Sequence, residues 1–169
     1  VIDHGRKSAW GTGMSCHSCL LRPKSRGEVT LESADPFADP LIDPKFLSHP
    51  DDMRDMIDGY KIMMKVLNTE PFSKYIQEDT QRPININDDA DIEQAIREEA
   101  DTVYHPVGTC KMGSDDMSVV SNELKVHNVA NLRVVDASIM PTLVGGNTNA
   151  PTIMIAEKAS DLIKADWSI

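Results

Sequence analysis

The protein has 169 residues, of which 40% are hydrophobic and 26% charged, a balance typical of a globular chain rather than a disordered or collagen-like one. Its formal net charge is −10, which argues against general nucleic-acid binding because an acidic surface repels a phosphate backbone. No apolar run approaches the roughly 18 residues that cross a bilayer, and the three cysteines are an odd, low count that indicates a reducing compartment. We therefore expect a cytoplasmic protein, with peripheral attachment at the inner membrane as an alternative.

The first part of the chain predicts a hairpin followed by a loop. Residues 14–22 are apolar and short, residues 28–33 alternate apolar and polar side chains, and the five residues between them predict a turn. The basic residues of this turn (Arg22, Lys24 and Arg26) are interpreted as solvated. Residues 34–50 are rich in proline and predict an extended loop.

Two long helices are predicted next. Ser48 and Asp51 have capping-box spacing before apolar residues that recur at helical spacing from Met53 to Leu67, and a short helical turn is predicted over 71–78. Asp88 predicts the cap of the second helix. The residues expected on its buried side are Ile92, Ala95, Ile96, Ala100 and Val103.

The last part predicts strands and a final helix. Leu124 and Val126 indicate a short strand, residues 132–136 a buried strand ending at Asp136, and Asn149 the cap of a helix whose start at 153–156 is apolar on all sides and expected to be buried. The fold class predicted is α+β: a mostly antiparallel sheet with packed helices, followed by a C-terminal strand and helix.

The motifs of common cofactor sites are incomplete. Gly11 and Gly13 begin a dinucleotide fingerprint, but Cys16 stands where its third glycine is required. Cys16 and Cys19 have no second pair to complete a zinc site, and a shared ligand is disfavoured on a strand because they would point to opposite faces. We predict no metal site, and inert, partly buried cysteines.

His105 lies between a predicted helix end and Pro106, with Gly108 and Gly113 after it. Pro106 keeps the residue before it out of helical geometry, so the imidazole stands on a rigid turn, as an acid or base requires. A histidine that caps a helix C-terminus is the alternative, and the residues alone leave both open.

The segment from Asp136 to Thr152 is a second candidate site. Gly145 and Gly146 let a ligand approach the backbone closely, Asn147 can donate and accept hydrogen bonds, and the helix start carries unpaired N–H groups beside a positive dipole end. This arrangement can stabilise developing negative charge. An ordinary capped loop is the alternative.

At these two segments the chain resembles the C-terminal part of the glucose–methanol–choline flavoprotein oxidoreductases, in the branch similar to choline and alkanol dehydrogenases. The matching segments fall in order along almost the whole chain. They are CLLRPKSRG (19–27), ADP…PLIDP (34–44), HPVGTCKMG (105–113), LRVVDASIMP (132–141) and GNTNAPT (146–152).

The resemblance implies roles for individual residues. His105 matches the catalytic histidine and Asn147 the second catalytic position. Asp136, with Ala137 after it, matches a region that contacts FAD. The helix start that lies against the flavin ring matches Asn149, Pro151 and Thr152.

The resemblance also implies a larger enzyme, of which we expect this chain to be the last third. Residues 1–129 would be the substrate-binding and catalytic segment, residues 130–169 would complete the FAD site, and an N-terminal Rossmann-type FAD domain would lie outside the chain. The implied reaction oxidises a primary alcohol, choline-like or aliphatic, by hydride transfer to flavin N5, with an electron acceptor that the sequence does not identify. The alternative is an isolated, non-enzymatic domain that binds no FAD and forms homo-oligomers.

Overall fold

A computed structural model describes residues 15–76 and 83–168. Contacts divide the chain into two compact units. The first unit comprises the described residues of Val1–Leu20 and Phe46–Val103, and the second comprises Leu21–Lys45 and Tyr104–Ile169. The predicted boundary at residue 129/130 remains a prediction.

The first unit contains three helices: α1 (Pro50–Leu67), α2 (Glu70–Ser73) and α3 (Asp89–Glu99). The two long helices pack through the faces that their periodicity predicts, since Met53 and Ile57 of α1 meet Ile92 and Ile96 of α3 in one buried cluster. The cap of α3 is also confirmed, because Asp88 Oδ1 accepts the Ala90 N–H at 3.0 Å.

Three details of these helices differ from prediction. The N-cap of α1 is His49, whose Nδ1 accepts the Asp51 N–H at 3.2 Å, so Ser48 does not cap it. The helix α3 ends earlier than expected because the backbone at Ala100 is extended, which leaves Val103 61% exposed. The short turn is helical only over Glu70–Ser73, and residues 77 and 78 lie outside the described residues.

The second unit contains the sheet, an antiparallel pair of β1 (Glu28–Thr30) and β2 (Leu41–Asp43) with Val29 opposite Ile42. The predicted partner strand at residues 14–22 is wrong: residues 15–22 are irregular and β1 pairs with a segment expected to be a loop. The prolines at 40 and 44 stand just outside β2, where they remove no hydrogen bond from the ladder. Helices with an antiparallel sheet confirm the α+β class.

The rest of the second unit is a set of loops, a 3₁₀ helix (Ala137–Ile139) and α4 (Asn149–Trp167) around one core. The strand predicted over 132–136 is wrong, because only an isolated bridge between Lys125 and Arg133 forms there. The loops, the 3₁₀ helix and α4 all contribute apolar side chains to this core. Its buried residues are Val120, Leu124, Ile139, Met140, Ile155 and Ala159.

The start of α4 also differs from prediction. Its N-cap is Thr148, with no side-chain capping bond, so Asn149 is the first helical residue and not the cap. The segment expected to be buried is mostly exposed, since Ile155 is 6% exposed but Ile153 and Met154 are 56% and 58% exposed. A single helical face meets the core of this unit, and the other apolar side chains of that turn therefore face outward. No described helix is long and apolar enough to span a membrane.

Candidate functional site

The histidine loop (residues 104–113) begins where the chain enters the second unit. Tyr104 adopts a left-handed conformation with φ of 60°, which a bulky residue takes up only when its surroundings impose it. His105 follows with an exposed side chain, and within the described ranges neither ring nitrogen makes a hydrogen bond. The helix α3 ends five residues earlier at its C-cap Ala100, so His105 does not cap it.

Backbone hydrogen bonds join the histidine loop to the segment that contains the 3₁₀ helix. Three backbone N–H groups of the loop donate to three consecutive carbonyls: Gly108 to Ala137 at 3.3 Å, Cys110 to Ser138 at 2.9 Å and Met112 to Ile139 at 2.8 Å. Gly108 has φ of 83°, and a Cβ there would lie 3.1 Å from the Met140 carbonyl oxygen. Glycine therefore suits this position in two ways, by its conformation and by its small size.

Asp136 begins the 3₁₀ helix by capping it. Its Oδ1 accepts the Ser138 N–H at 2.7 Å. This bond stabilises the start of the 3₁₀ helix, whose carbonyls accept the hydrogen bonds from the histidine loop. Ala137 is half-buried against the core of the unit. Asp136 and Ala137 thus lie in the segment that supports His105, while their contact with a cofactor stays a prediction.

The glycine loop (residues 141–148) connects this segment to α4. Val144 packs on the core, and Asn147 is exposed three residues later. A Cβ at Gly146 would meet no atom within 4 Å, so the backbone just before Asn147 is open there.

The start of α4 is also open. The N-cap Thr148 offers no side-chain oxygen to the first N–H groups, and Asn149 is exposed. Pro151 has no N–H, and the Thr152 N–H and hydroxyl both donate to the Thr148 carbonyl, at 3.1 and 2.8 Å. The remaining N–H groups and the positive end of the helix dipole can act on a ligand with an electron-rich edge.

The second unit therefore contains all the predicted site residues, although they are far apart in sequence. Val107 of the histidine loop, Val144 of the glycine loop and Ile155 of α4 pack on one core. His105 and Asn147 are both exposed, and no hydrogen bond joins them within the described ranges. Their catalytic roles remain predictions.

The cysteines are not arranged for metal binding. Cys16 and Cys19 are exposed, contrary to the expectation that they are partly buried, because the segment that carries them is irregular; Cys110 is half-buried. Across residues 15–76 and 83–168, no three His, Cys, Asp or Glu side chains are grouped to hold a metal ion.

A carboxylate that sequence analysis passed over organises the turn after the histidine loop. Asp115 accepts hydrogen bonds from Lys111 Nζ at 2.7 Å, the Ser118 hydroxyl at 2.8 Å and the Met117 N–H at 3.0 Å. The bond from Lys111, followed by that from Ser118, lowers the pKa of Asp115 from 3.8 to about 2.

We expect Asp115→Asn to destabilise the protein at neutral pH. A lowered pKa contributes stability that is present above pH 3.8 and is lost as the pH falls through about 2. The difference in thermal unfolding temperature between variant and wild type should therefore shrink between pH 4 and pH 2. Asp116→Asn is the matched control, because no described residue donates a hydrogen bond to Asp116. Equal pH dependence in wild type and Asp115→Asn would contradict the assignment.

Arg22 is exposed, in agreement with the prediction of a solvated turn, and its guanidinium also lies beside Gly145 of the glycine loop. The only sequence signal is the pair of adjacent glycines, which indicates that something approaches the backbone there.

Comparisons with known proteins agree on one family. The model of the GMC oxidoreductase family (its C-terminal domain) matches residues 23–156. The chain is 52% identical over 161 residues to an alcohol dehydrogenase [acceptor] from Pseudomonas putida, covering 95% of this chain and 29% of the relative. It is 43% identical over 152 residues to an oxygen-dependent choline dehydrogenase from Klebsiella pneumoniae, covering 90% and 27%.

A solved structure agrees with these sequences. A formate oxidase from Aspergillus oryzae, studied for modification of its FAD, superposes with a TM-score of 0.82 at 33% identity over 87% of this chain and 26% of its own. The chain thus spans under a third of the length of the proteins it matches. With the family model matched from the turn before β1 into α4, and with the histidine and glycine loops inside the match, this chain belongs to the GMC oxidoreductase family.

Proposed function

We propose that the full-length protein carrying this chain is an FAD-dependent dehydrogenase that oxidises a primary alcohol to the aldehyde. The observation that carries the proposal is the placement of His105 and Asn147, both exposed, on loops anchored to one core beside the open start of α4. Family membership and the 52% identity to an alcohol dehydrogenase support it.

The residues present fit a flavin. The open backbone at Gly146 leaves room for a flat ring, and the start of α4 lacks a side-chain cap, so its N–H groups can face the ring edge. Asn149, Pro151 and Thr152 would lie against that edge of the ring. Asp136 and Ala137 would lie on the side of the histidine loop that faces the cofactor. When bound, FAD supplies the acceptor for the hydride that leaves the alcohol carbon.

The chain's own residues supply the acid–base and electrostatic parts of the reaction. His105 takes the hydroxyl proton of the alcohol, so its side chain must reach that oxygen. Asn147 donates a hydrogen bond to the same oxygen as negative charge builds there. The positive end of α4 would stabilise negative charge at the edge of a bound flavin.

An aliphatic alcohol is the substrate class that we favour over choline. The relative named for alcohol is 52% identical, against 43% for one named for choline, and aromatic residues, which recognise quaternary ammonium groups, make up 5% of the chain. The partners we propose are the alcohol, the N-terminal FAD domain and a separate electron acceptor. The low cysteine count leads us to propose a cytoplasmic protein, with peripheral attachment at the inner membrane as the alternative.

The full-length protein should be yellow after purification, and a primary alcohol added without oxygen should bleach the flavin absorbance. Straight-chain alcohols of increasing length, compared with choline, would identify the substrate class by their reduction rates. A colourless protein, or a yellow one that no alcohol reduces, would overturn the proposal.

A second candidate concerns the chain by itself: a non-enzymatic domain that binds no FAD and self-associates. Its support is the exposed apolar surface, which includes Ile153 and Met154 on α4 and Leu31 and Ile42 on the hairpin of the second unit. Analytical ultracentrifugation of this chain should then show colourless oligomers, and a compact monomer would contradict it.

A further inference from the structure

The Arg22 guanidinium occupies the space that a side chain at Gly145 would need. A Cβ on Gly145 would lie 2.6 Å from Arg22 Nη2, closer than real Cβ contacts, and 3.0 Å from Arg22 Cζ, tighter than most. The guanidinium therefore lies directly on the backbone of the glycine loop, in space that only glycine leaves open.

No polar partner explains why Arg22 is there. Within the described ranges its guanidinium makes no hydrogen bond or ion pair, whereas Arg26 donates to the carbonyls of Pro23 at 2.6 Å and Ser25 at 2.9 Å in its own turn. A guanidinium is planar and weakly hydrated, so it packs well against flat groups such as a peptide plane. A cavity of about 410 Å³ lies beside this contact, and its lining residues are Arg22, Pro23, Lys24, Arg26, Thr142 and Leu143.

The glycine loop has few other restraints near Asn147. Val144 packs on the core, but a Cβ built on Gly146 would have no neighbour within 4 Å. Two adjacent glycines have wide conformational freedom, and ordering them is costly in entropy. The Arg22 contact is thus the restraint nearest to Asn147 on its N-terminal side.

We propose that Arg22 is a positioning residue: its guanidinium, packed on Gly145, holds the glycine loop so that the Asn147 amide stays in place to donate to the alcohol oxygen. This inference rests on the proposed function. Because Asn147 follows Gly145 by only two residues, a small shift of the Gly145 peptide moves the amide away from the substrate.

The test uses the full-length protein and four variants: Arg22→Ala, Gly145→Ala, the double variant and Arg26→Ala. Arg22→Ala should slow flavin reduction at saturating alcohol by about 10–10²-fold, since misplacement by 1 Å can cost about 10²-fold. The amount of bound FAD should stay the same, and KM should change much less than kcat. Arg26→Ala should react at the wild-type rate because its hydrogen bonds stay within its own turn.

A double-mutant cycle shows whether the two residues act through each other. A methyl group at Gly145 displaces the guanidinium, so Gly145→Ala should be slowed like Arg22→Ala, and the double variant should be no slower than either. In the matched cycle of Arg22→Ala with Gly146→Ala, the effects should add, because a Cβ at Gly146 would not reach Arg22. Additive effects in the Gly145 cycle would overturn the proposal.

Hydrogen–deuterium exchange tests the contact without activity. Peptides covering residues 141–148 should exchange faster in Arg22→Ala than in the wild type, and unchanged exchange there would also overturn the proposal. So would a fall in unfolding temperature and FAD content that accounts for the whole loss of rate, because the role would then be structural only. If no alcohol reduces the wild-type protein, the proposed function and this role in it both fail, while the exchange experiment still tests the contact.

Discussion

His105→Ala is expected to slow the reduction of bound FAD by an alcohol by about 10²–10⁴-fold, the usual contribution of a positioned acid or base. Alanine cannot take up the hydroxyl proton, while the histidine loop keeps its three backbone bonds to residues 137–139, so FAD should stay bound. Anaerobic stopped-flow absorbance of the full-length protein measures the rate, and the absorbance before mixing measures FAD content.

His49→Ala is the matched control for this experiment. It also removes an imidazole, but one that caps α1 in the first unit, so it should lower stability without lowering the rate of reduction. Reduction of His105→Ala at the wild-type rate would show that His105 takes no part in the reaction.

The role of Asn147 in the glycine loop can be tested by the same measurement. Asn147→His should retain more activity than Asn147→Ala, because histidine can still donate a hydrogen bond.

Ile139→Ala is expected to cost about 2–5 kcal/mol of unfolding free energy, the range for large apolar residues truncated in a packed core. Ile139 is 2% exposed, and the core it occupies supports the histidine loop, the glycine loop and α4 together. Its carbonyl also accepts the Met112 N–H, a bond that the substitution leaves intact. The loss should therefore come from the cavity.

Urea unfolding followed by circular dichroism measures this loss, and Ile139→Val should cost less, about 0.5–1.5 kcal/mol. Ile153→Ala is the control: it truncates an apolar residue that is 56% exposed on α4, so its effect should be much smaller. Equal losses from Ile139→Ala and Ile153→Ala would contradict the assignment of Ile139 to the core that supports the site.

Local patterns in the sequence were sufficient for the helices of the first unit. The spacing of Met53, Ile57, Ile92 and Ile96 gives each helix one apolar face, and those faces meet. Asp88 caps α3 through a bond to Ala90 that spans two residues, so nothing distant is needed to predict it. The ends were less predictable, as at Ala100, because the backbone leaves the helix there without glycine or proline to mark the change.

The strands were not predictable in this way. A short alternating segment such as 28–33 indicates a strand but not its partner, and the pairing of Val29 with Ile42 depends on the path of the chain between them. Residues 132–136 are apolar enough for a strand, yet no ladder forms. Asn131 turns the chain with φ of 60°, and Asp136 then caps the 3₁₀ helix.

The sequence by itself determined the family, the α+β class and the identity of the candidate site residues, because motifs and helical periodicity are local properties of the chain. Only the tertiary structure decided how the site is supported. The bonds from Gly108, Cys110 and Met112 to residues 137–139, and the packing of Arg22 on Gly145, join segments that are far apart in sequence. Such contacts depend on how the whole unit packs around Ile139, so no pattern of neighbouring residues encodes them.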